Sequence, residues 1–316
     1  MNKGYSLINL LISMSLGLII LGGLSHLYLQ SQFNYQTQTS RNNLHSEGQY
    51  ALSQILQDLQ QAGYLGETVS PLSITGTTPP LAATLTCDQG NQWARMLAQP
   101  IYGMNDTLAV DETTSYEHCI NKRHYLRGDI LALRFVSKDE IPLSDAYLKD
   151  NANRFYLLSA PRQGRLFQGK DLAENKIDNP LKTLREVQGS IYYVAKAIVD
   201  RSNQCTHRHN YPALYRKRIN KQGKLQQEEI SQGVEQLQIQ YGLDTDDDGG
   251  VDSYQHASPK LNWQHIVSVK IWLLIKASCP EIGYNNNETY LMGDQTYTPK
   301  DNYRRLLLST TSSLNY

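Results

Sequence analysis

The chain changes character twice along its length. From Leu7 to Leu29 it is almost entirely Leu, Ile, Gly, Ser and Met, and no Asp, Glu, Lys or Arg stands between Lys3 and Arg41. About 20 apolar residues, each rising ~1.5 Å, match a hydrocarbon core of ~30 Å and predict a membrane-spanning helix. Polarity then returns while helical spacing persists. Leu44, Ala51, Leu52, Ile55, Leu56 and Leu59 recur at three- and four-residue intervals, so one stripe faces a core while Gln and Asp residues face water. Gly63 is the expected stop. Residues 69 to 105, rich in Thr, Pro, Gly and Gln, read as a long excursion with little regular structure. Strand patterns dominate after that. Leu131, Leu133 and Phe135 alternate with Ala132 and Arg134, and Leu237, Ile239 and Tyr241 alternate with Gln236, Gln238 and Gln240. Val267, Val269, Ile271, Leu273 and Ile275 form one face of a long strand. Weaker strand patterns run from Phe155 to Leu158, Ile191 to Val199, Ala213 to Ile219 and Arg305 to Thr311. Since no βα alternation occurs, the expected class is α+β: a long amino-terminal helix on an antiparallel sheet.

Orientation follows from charge. Lys3 is the only charge ahead of the apolar run, so the positive-inside preference keeps that end in the cytoplasm and exports the rest. A cleaved secretory signal is the alternative, but the run is too long and Ser25-His26-Leu27-Tyr28 offers no small-residue cleavage site.

Composition adds exclusions. Thirty Lys and Arg balance thirty Asp and Glu, which leaves no field for dedicated nucleic-acid binding. The basic group Arg216, Lys217, Arg218, Lys221 and Lys224 could touch DNA, but reads better as the solvated face of two strands balanced by Glu228 and Glu229. No nucleophile elbow, P-loop or dinucleotide fingerprint occurs, so an enzyme is not expected.

Two local patterns carry chemistry. Asp244-Thr245-Asp246-Asp247-Asp248-Gly249-Gly250-Val251-Asp252 reproduces the first nine positions of an EF-hand-type loop. Asp244, Asp246, Asp248 and Asp252 would bind calcium through side chains and Gly250 through its carbonyl. The terminal bidentate Glu is absent, Gln255 standing there, and the loop follows a strand, so an EF-hand domain is not expected. A solvated acidic β-turn is the alternative. The four cysteines, Cys87, Cys119, Cys205 and Cys279, all follow the anchor, and an even number in an oxidising compartment suggests two disulfides. Of three connectivities, Cys87 with Cys119 and Cys205 with Cys279 is favoured, stapling the excursion and tying a loop to the long strand. A zinc site from Cys205, His207, His209 and His118 is the weaker alternative.

Several stretches resemble one family. Met1-Asn2-Lys3-Gly4, followed by Tyr5-Ser6-Leu7-Ile8-Asn9, resembles the type IV prepilin leader. That resemblance implies cleavage between Gly4 and Tyr5 by the prepilin peptidase and N-methylation of Tyr5. Asn9 stands where the family normally has Glu. Asp58-Leu59-Gln60-Gln61-Ala62-Gly63-Tyr64, Glu228 to Tyr254, Trp263 to Leu274, and Tyr303-Arg304-Arg305-Leu306 with Ser309-Thr310-Thr311 are similar to segments of PilW-like minor pilins. Gly128-Asp129-Ile130-Leu131 is a looser match. Together these stretches cover about half the chain.

The resemblance implies a type IV pilin fold, with a leader at 1–4, a transmembrane and filament-core helix at 5–29, an amphipathic stalk at 30–63 and a periplasmic β-rich head at 64–316. It also implies an inner-membrane protein that moves to the pilus tip and helps prime assembly. Expected partners are other minor pilins, the major pilin, the inner-membrane assembly platform and a PilY-type tip adhesin. A J-like minor pseudopilin of type II secretion is the near alternative. A calcium-dependent membrane-anchored adhesin or enzyme is the alternative of another class.

Overall fold

The computed structural model describes residues 7–68, 70–77, 92–106, 119–120, 123–142, 151–171, 182–198, 211–220 and 222–314. Helix α1 (Leu7–Leu59) runs unbroken for 53 residues, a length of ~80 Å at ~1.5 Å per residue. It is long and apolar enough to cross a membrane, and no residue of it before Leu44 is buried. From that point Leu44, Gly48, Ala51, Leu52, Ile55, Asp58 and Leu59 are buried: five of the six predicted stripe residues, with Leu56 only partly buried and Asp58, expected to face water, enclosed instead.

The rest is mainly strand. In chain order the elements are β1 (Ile74–Gly76), α2 (Gln92–Arg95), β2 (Ile101–Met104), β3 (Tyr125–Ile141), β4 (Phe155–Ala160), β5 (Gln163–Gln168), β6 (Thr183–Lys196) and β7 (Pro212–Ile219). They continue with β8 (Leu225–Gln232), β9 (Val234–Leu243), β10 (Ser253–Gln255), β11 (Ile266–Lys276), β12 (Tyr290–Met292), β13 (Gln295–Tyr297) and β14 (Arg305–Ser313). A first sheet runs β1-β5-β4-β6-β3-β2, with β7 added beside β6 and β8 beside β7. All its pairs are antiparallel except β1 with β5. A second antiparallel sheet runs β10-β9-β11-β14, and β12 with β13 forms a separate hairpin.

The two sheets are one strand apart in sequence. Between β8 and β9 stands Gly233, with φ of 87°. Its N–H donates to Pro212 O at 2.7 Å in one sheet, while its carbonyl accepts from Lys276 N at 2.7 Å in the other. A Cβ there would lie 2.8 Å from Lys276 O, so the strand can change sheets only because the residue is glycine. The main core lies where the α1 stripe meets β9 and β11 of the second sheet, and Leu131, Leu133, Tyr192 and Val194 join it from the first. Helix α1 sits close to the second sheet at Gly48, where a Cβ would stand 2.7 Å from Leu308 Cδ1 and 2.8 Å from Ile275 Cδ1.

Three local expectations are corrected. Helix α1 ends at Leu59, not Gly63. Gly63, with φ of 81°, instead turns the chain so that its N–H reaches Arg134 O on β3. The stretch from 69 to 105 contains β1, α2 and β2 among its described residues. All three are too short for a periodic signal, and β1 and β2 are held as edge strands. Finally, Val267 does not share the core face with Val269, Ile271, Leu273 and Ile275. A bulge between Ile266 and Ser268 shifts the alternation, so Ile266 enters the core in its place.

Candidate functional site

The acidic segment is the loop of the β9–β10 hairpin, closed by the pair Leu243 and Ser253. Four of the loop's five carboxylates accept hydrogen bonds from within the loop, as Asp side chains do in turns. Asp244 Oδ2 accepts from Gly249 N at 2.7 Å, Asp246 Oδ1 from Asp248 N at 3.3 Å, and Asp248 Oδ1 from Gly250 N at 2.6 Å. Asp252 Oδ2 accepts from both Thr245 N, at 2.7 Å, and Thr245 Oγ1, at 2.5 Å. Asp247 and Gly249 take left-handed backbone angles, 61° and 85° in φ, to close the curl.

Asp244, Asp246 and Asp252 each bring one carboxylate oxygen within 4.8 Å of the others. Asp248 lies in the same loop but outside that trio, its oxygen turned to the Gly250 N–H. The crowding is visible in protonation. The hydrogen bond from Asp248 N lowers the Asp246 pKa, yet the charges of Asp248, Asp252 and Asp244 leave it above the ordinary carboxylate value. Asp244 differs from its neighbours in being only 5% exposed, and its Oδ1 makes no hydrogen bond. The loop is also tied to the start of β11: Asp244 N donates to His265 O at 2.9 Å, and His265 Nδ1 lies 3.0 Å from Asp244 O.

A second polar cluster sits where the helix meets the head. Asp58, on the last turn of α1, is 1% exposed. Tyr192 Oη on β6 donates to its Oδ2 at 2.6 Å, Arg218 of β7 donates to its Oδ1, and Arg216 Nη1 stands 3.7 Å away. Arg216 also forks onto Glu228 of β8, both contacts at 3.1 Å. Burial and the charge of Asp58 together push the Tyr192 hydroxyl far above its ordinary pKa. The basic stretch is therefore not simply a solvated face: alternate residues of β7 aim Arg216 and Arg218 inward at the helix. Charge periodicity along one strand cannot show that, because the carboxylate they meet is 160 residues away.

Asp129, on β3, joins the two sheets. Its Oδ2 accepts from Ile239 N on β9 at 2.7 Å and its Oδ1 from Asp106 N at 3.2 Å. A Cβ on the preceding Gly128, whose φ is 84°, would lie 2.8 Å from Leu237 O, so β3 approaches β9 closely at the Gly-Asp pair. Burial raises the Asp129 pKa well above the ordinary value against the pull of both hydrogen bonds.

Other sequence-predicted residues are scattered or outside the described set. Gly4 and Tyr5 lie outside it, as do Cys87, Cys205, His118, His207 and His209. Asn9 is exposed on α1, its carbonyl accepting from Ser13 Oγ at 2.7 Å. Cys119, which is buried, and Cys279 each take part in a disulfide.

No curated protein and no solved structure matches the chain. Residues 191–315 match the family of the type IV pilus-assembly protein W. That span takes in Arg216, Arg218, Glu235, the acidic loop and all of β7 to β14, and it leaves α1 outside. The match supports a type IV pilus-related protein.

Proposed function

We propose that this chain is a minor pilin: a non-enzymatic subunit that joins a small complex at the pilus tip and helps prime filament assembly. The observation that carries the reading is α1, a 53-residue helix bare along its apolar amino-terminal part, which first meets the head where Thr37 hydrogen-bonds Glu281 and is buried against it from Leu44 onward. An apolar helix with nothing against it needs lipid or other helices around it. In the bilayer it anchors the subunit. In the filament it packs against the equivalent helices of other minor pilins and the major pilin, with the platform and a PilY-type adhesin as further partners. The family match over residues 191–315 supplies the pilus setting for that packing. The leader, with cleavage between Gly4 and Tyr5, completes the reading: it frees the helix at the cytoplasmic face without removing it.

Mass spectrometry of the mature protein tests this. The expected amino terminus is N-methylated Tyr5, and deletion of the gene should lower surface piliation while major pilin remains in the membrane. An intact Met1 overturns the pilin reading. A deletion that abolishes protein secretion and leaves pili untouched replaces it with the J-like pseudopilin.

A further inference from the structure

We propose that Asp244, Asp246 and Asp252 form a calcium site that braces the β9–β10 hairpin against the start of β11. The inference is independent of the assembly role.

Three carboxylate oxygens lie within 4.8 Å of one another. Calcium binds oxygens at ~2.3–2.6 Å, so any two ligands of one ion are at most ~5 Å apart, and the trio fits that shell without rearrangement. Proximity alone would not make a site, since exposed acidic turns are common. Asp244 supplies the independent observation. It is 95% buried by its 5% exposure, one oxygen accepts from Gly249 N, and the other, Oδ1, has no hydrogen-bond partner. An ionised oxygen withdrawn from water with no donor is costly unless a cation faces it. No Lys or Arg ion pair reaches Asp244, Asp246 or Asp252 among the described residues, and the nearby cationic candidate, His265, faces Asp247 at 3.4 Å. Hard oxygen donors with no sulfur or imidazole in the trio select calcium over zinc. Magnesium demands shorter, octahedral bonds and gives up its water reluctantly, so it competes poorly in a curl of this kind.

The consequence is mechanical. Asp244 closes β9 and is bonded through its backbone to His265 immediately before β11, while Asp252 precedes β10 and its N–H donates to Leu243 O at 2.8 Å. One ion therefore links the hairpin's two ends at the point where the second sheet begins its longest pairing.

The test is calcium titration of the full-length protein in detergent, followed by calorimetry and thermal melting. Binding is expected in the ~10⁻⁴–10⁻³ M range of extracellular modules, with a rise in Tm of roughly 2–6 °C at about 10 mM calcium. Magnesium at the same concentration should give less than half that rise. Asp246→Asn should weaken calcium binding by about tenfold or more, yet without calcium it should melt no lower than wild type, because it removes like-charge repulsion. Asp247→Asn, outside the trio and 83% exposed, should bind calcium within about twofold of wild type. The proposal is overturned if calcium moves neither heat nor Tm, or if Asp246→Asn and Asp247→Asn weaken binding equally, which would describe a diffuse acidic surface.

Discussion

Arg305 and Glu235 form a buried, two-point ion pair across 70 residues of sequence, with Nε to Oε2 at 2.6 Å and Nη2 to Oε1 at 3.2 Å. The Arg305 side chain is fully enclosed and that of Glu235 is 6% exposed. Asp301 accepts from Nη1 at 2.6 Å and Nη2 at 2.8 Å, and Tyr303 O accepts from Nη1 at 3.2 Å. Two stretches that look unrelated in sequence, the start of β9 and the start of β14, are thus one structural unit. The planar guanidinium is what allows it, since only Arg can satisfy two carboxylates bidentately.

Removing one partner should be severe. Arg305→Met leaves Glu235 buried without its ion-pair partner, and a loss of ~3–5 kcal/mol is expected. The double variant Glu235→Leu with Arg305→Met should recover part of that loss, because no stranded charge remains at Glu235. Urea unfolding of the four corners of this cycle measures it. A single-variant loss under about 1 kcal/mol would show the pair to be incidental.

The same clamp sets an acid limit. Partial burial raises the Asp301 pKa, but hydrogen bonds from Arg305 and from Tyr303 N outweigh it and hold the carboxyl below its ordinary value. A folded-state pKa below the unfolded one, ~3.9, means the contribution is complete above that value and is lost as pH falls through the folded pKa. Tm should therefore drop more steeply below about pH 4 in wild type than in Asp301→Asn. Parallel acid limbs for the two proteins would exclude the clamp as the cause.

At the foot of the head, Asp58 joins the helix to β6 and β7. Asp58→Ala takes away the buried carboxylate that Tyr192 and Arg218 hold and should cost about 3 kcal/mol, at the low end for a buried pair because Arg216 keeps Glu228 and Arg218 is 34% exposed and can turn to water. Tyr192→Phe removes the hydroxyl that bonds Asp58 and Gln54 O and accepts from Arg216, leaves the Arg218–Asp58 pair in place, and should cost about 1.5–3 kcal/mol. Hydrogen exchange should rise first in the last turn of α1 and in β7. Exchange that rises uniformly over the head would mean that the cluster does not govern the seam.

The contrast between what the sequence discloses and what it hides has a physical basis. Helix α1, β9 and β11 are long and each carries an apolar face, so their periodicity is strong even though both faces of β9 are buried. Edge strands of three residues, such as β1 and β10, carry no period and exist through their partners. The acidic loop is legible because its carboxylate spacing is local. Asp129 and Asp58 are not, because each meets its partners at separations of 110 and 160 residues. The bulge at Val267 defeats alternation for the same reason: its cause lies in pairing with β9.

Gly48 tests how tightly the helix is seated. A Cβ would press on the flexible ends of Leu308 and Ile275, at 2.7 and 2.8 Å. Gly48→Ala gains up to ~1 kcal/mol of helix propensity and loses a similar amount to the displaced methyls, so a net change within about 1 kcal/mol is expected. Gly48→Leu cannot be absorbed and should cost ~1–3 kcal/mol or more by prying the helix from β11 and β14. If Gly48→Leu unfolds at wild-type urea concentrations, the helix does not sit on the second sheet as described.

Asn9 bears on assembly more than stability. It lies in the bare apolar part of α1, at the position where the family it resembles normally has Glu. A carboxylate there is tolerated in an apolar setting only with a cation beside it, and the amino-terminal ammonium of a neighbouring subunit is the natural source. Asn can accept a hydrogen bond from that ammonium but cannot neutralise it. A subunit that sits at the tip has no neighbour above it to supply the cation, so it has no use for the carboxylate. On that reading Asn9→Glu should leave the number of pili unchanged or lower it, counted by electron microscopy at matched expression. A rise in pilus number would show that the missing carboxylate limits incorporation, and the tip position would have to be abandoned.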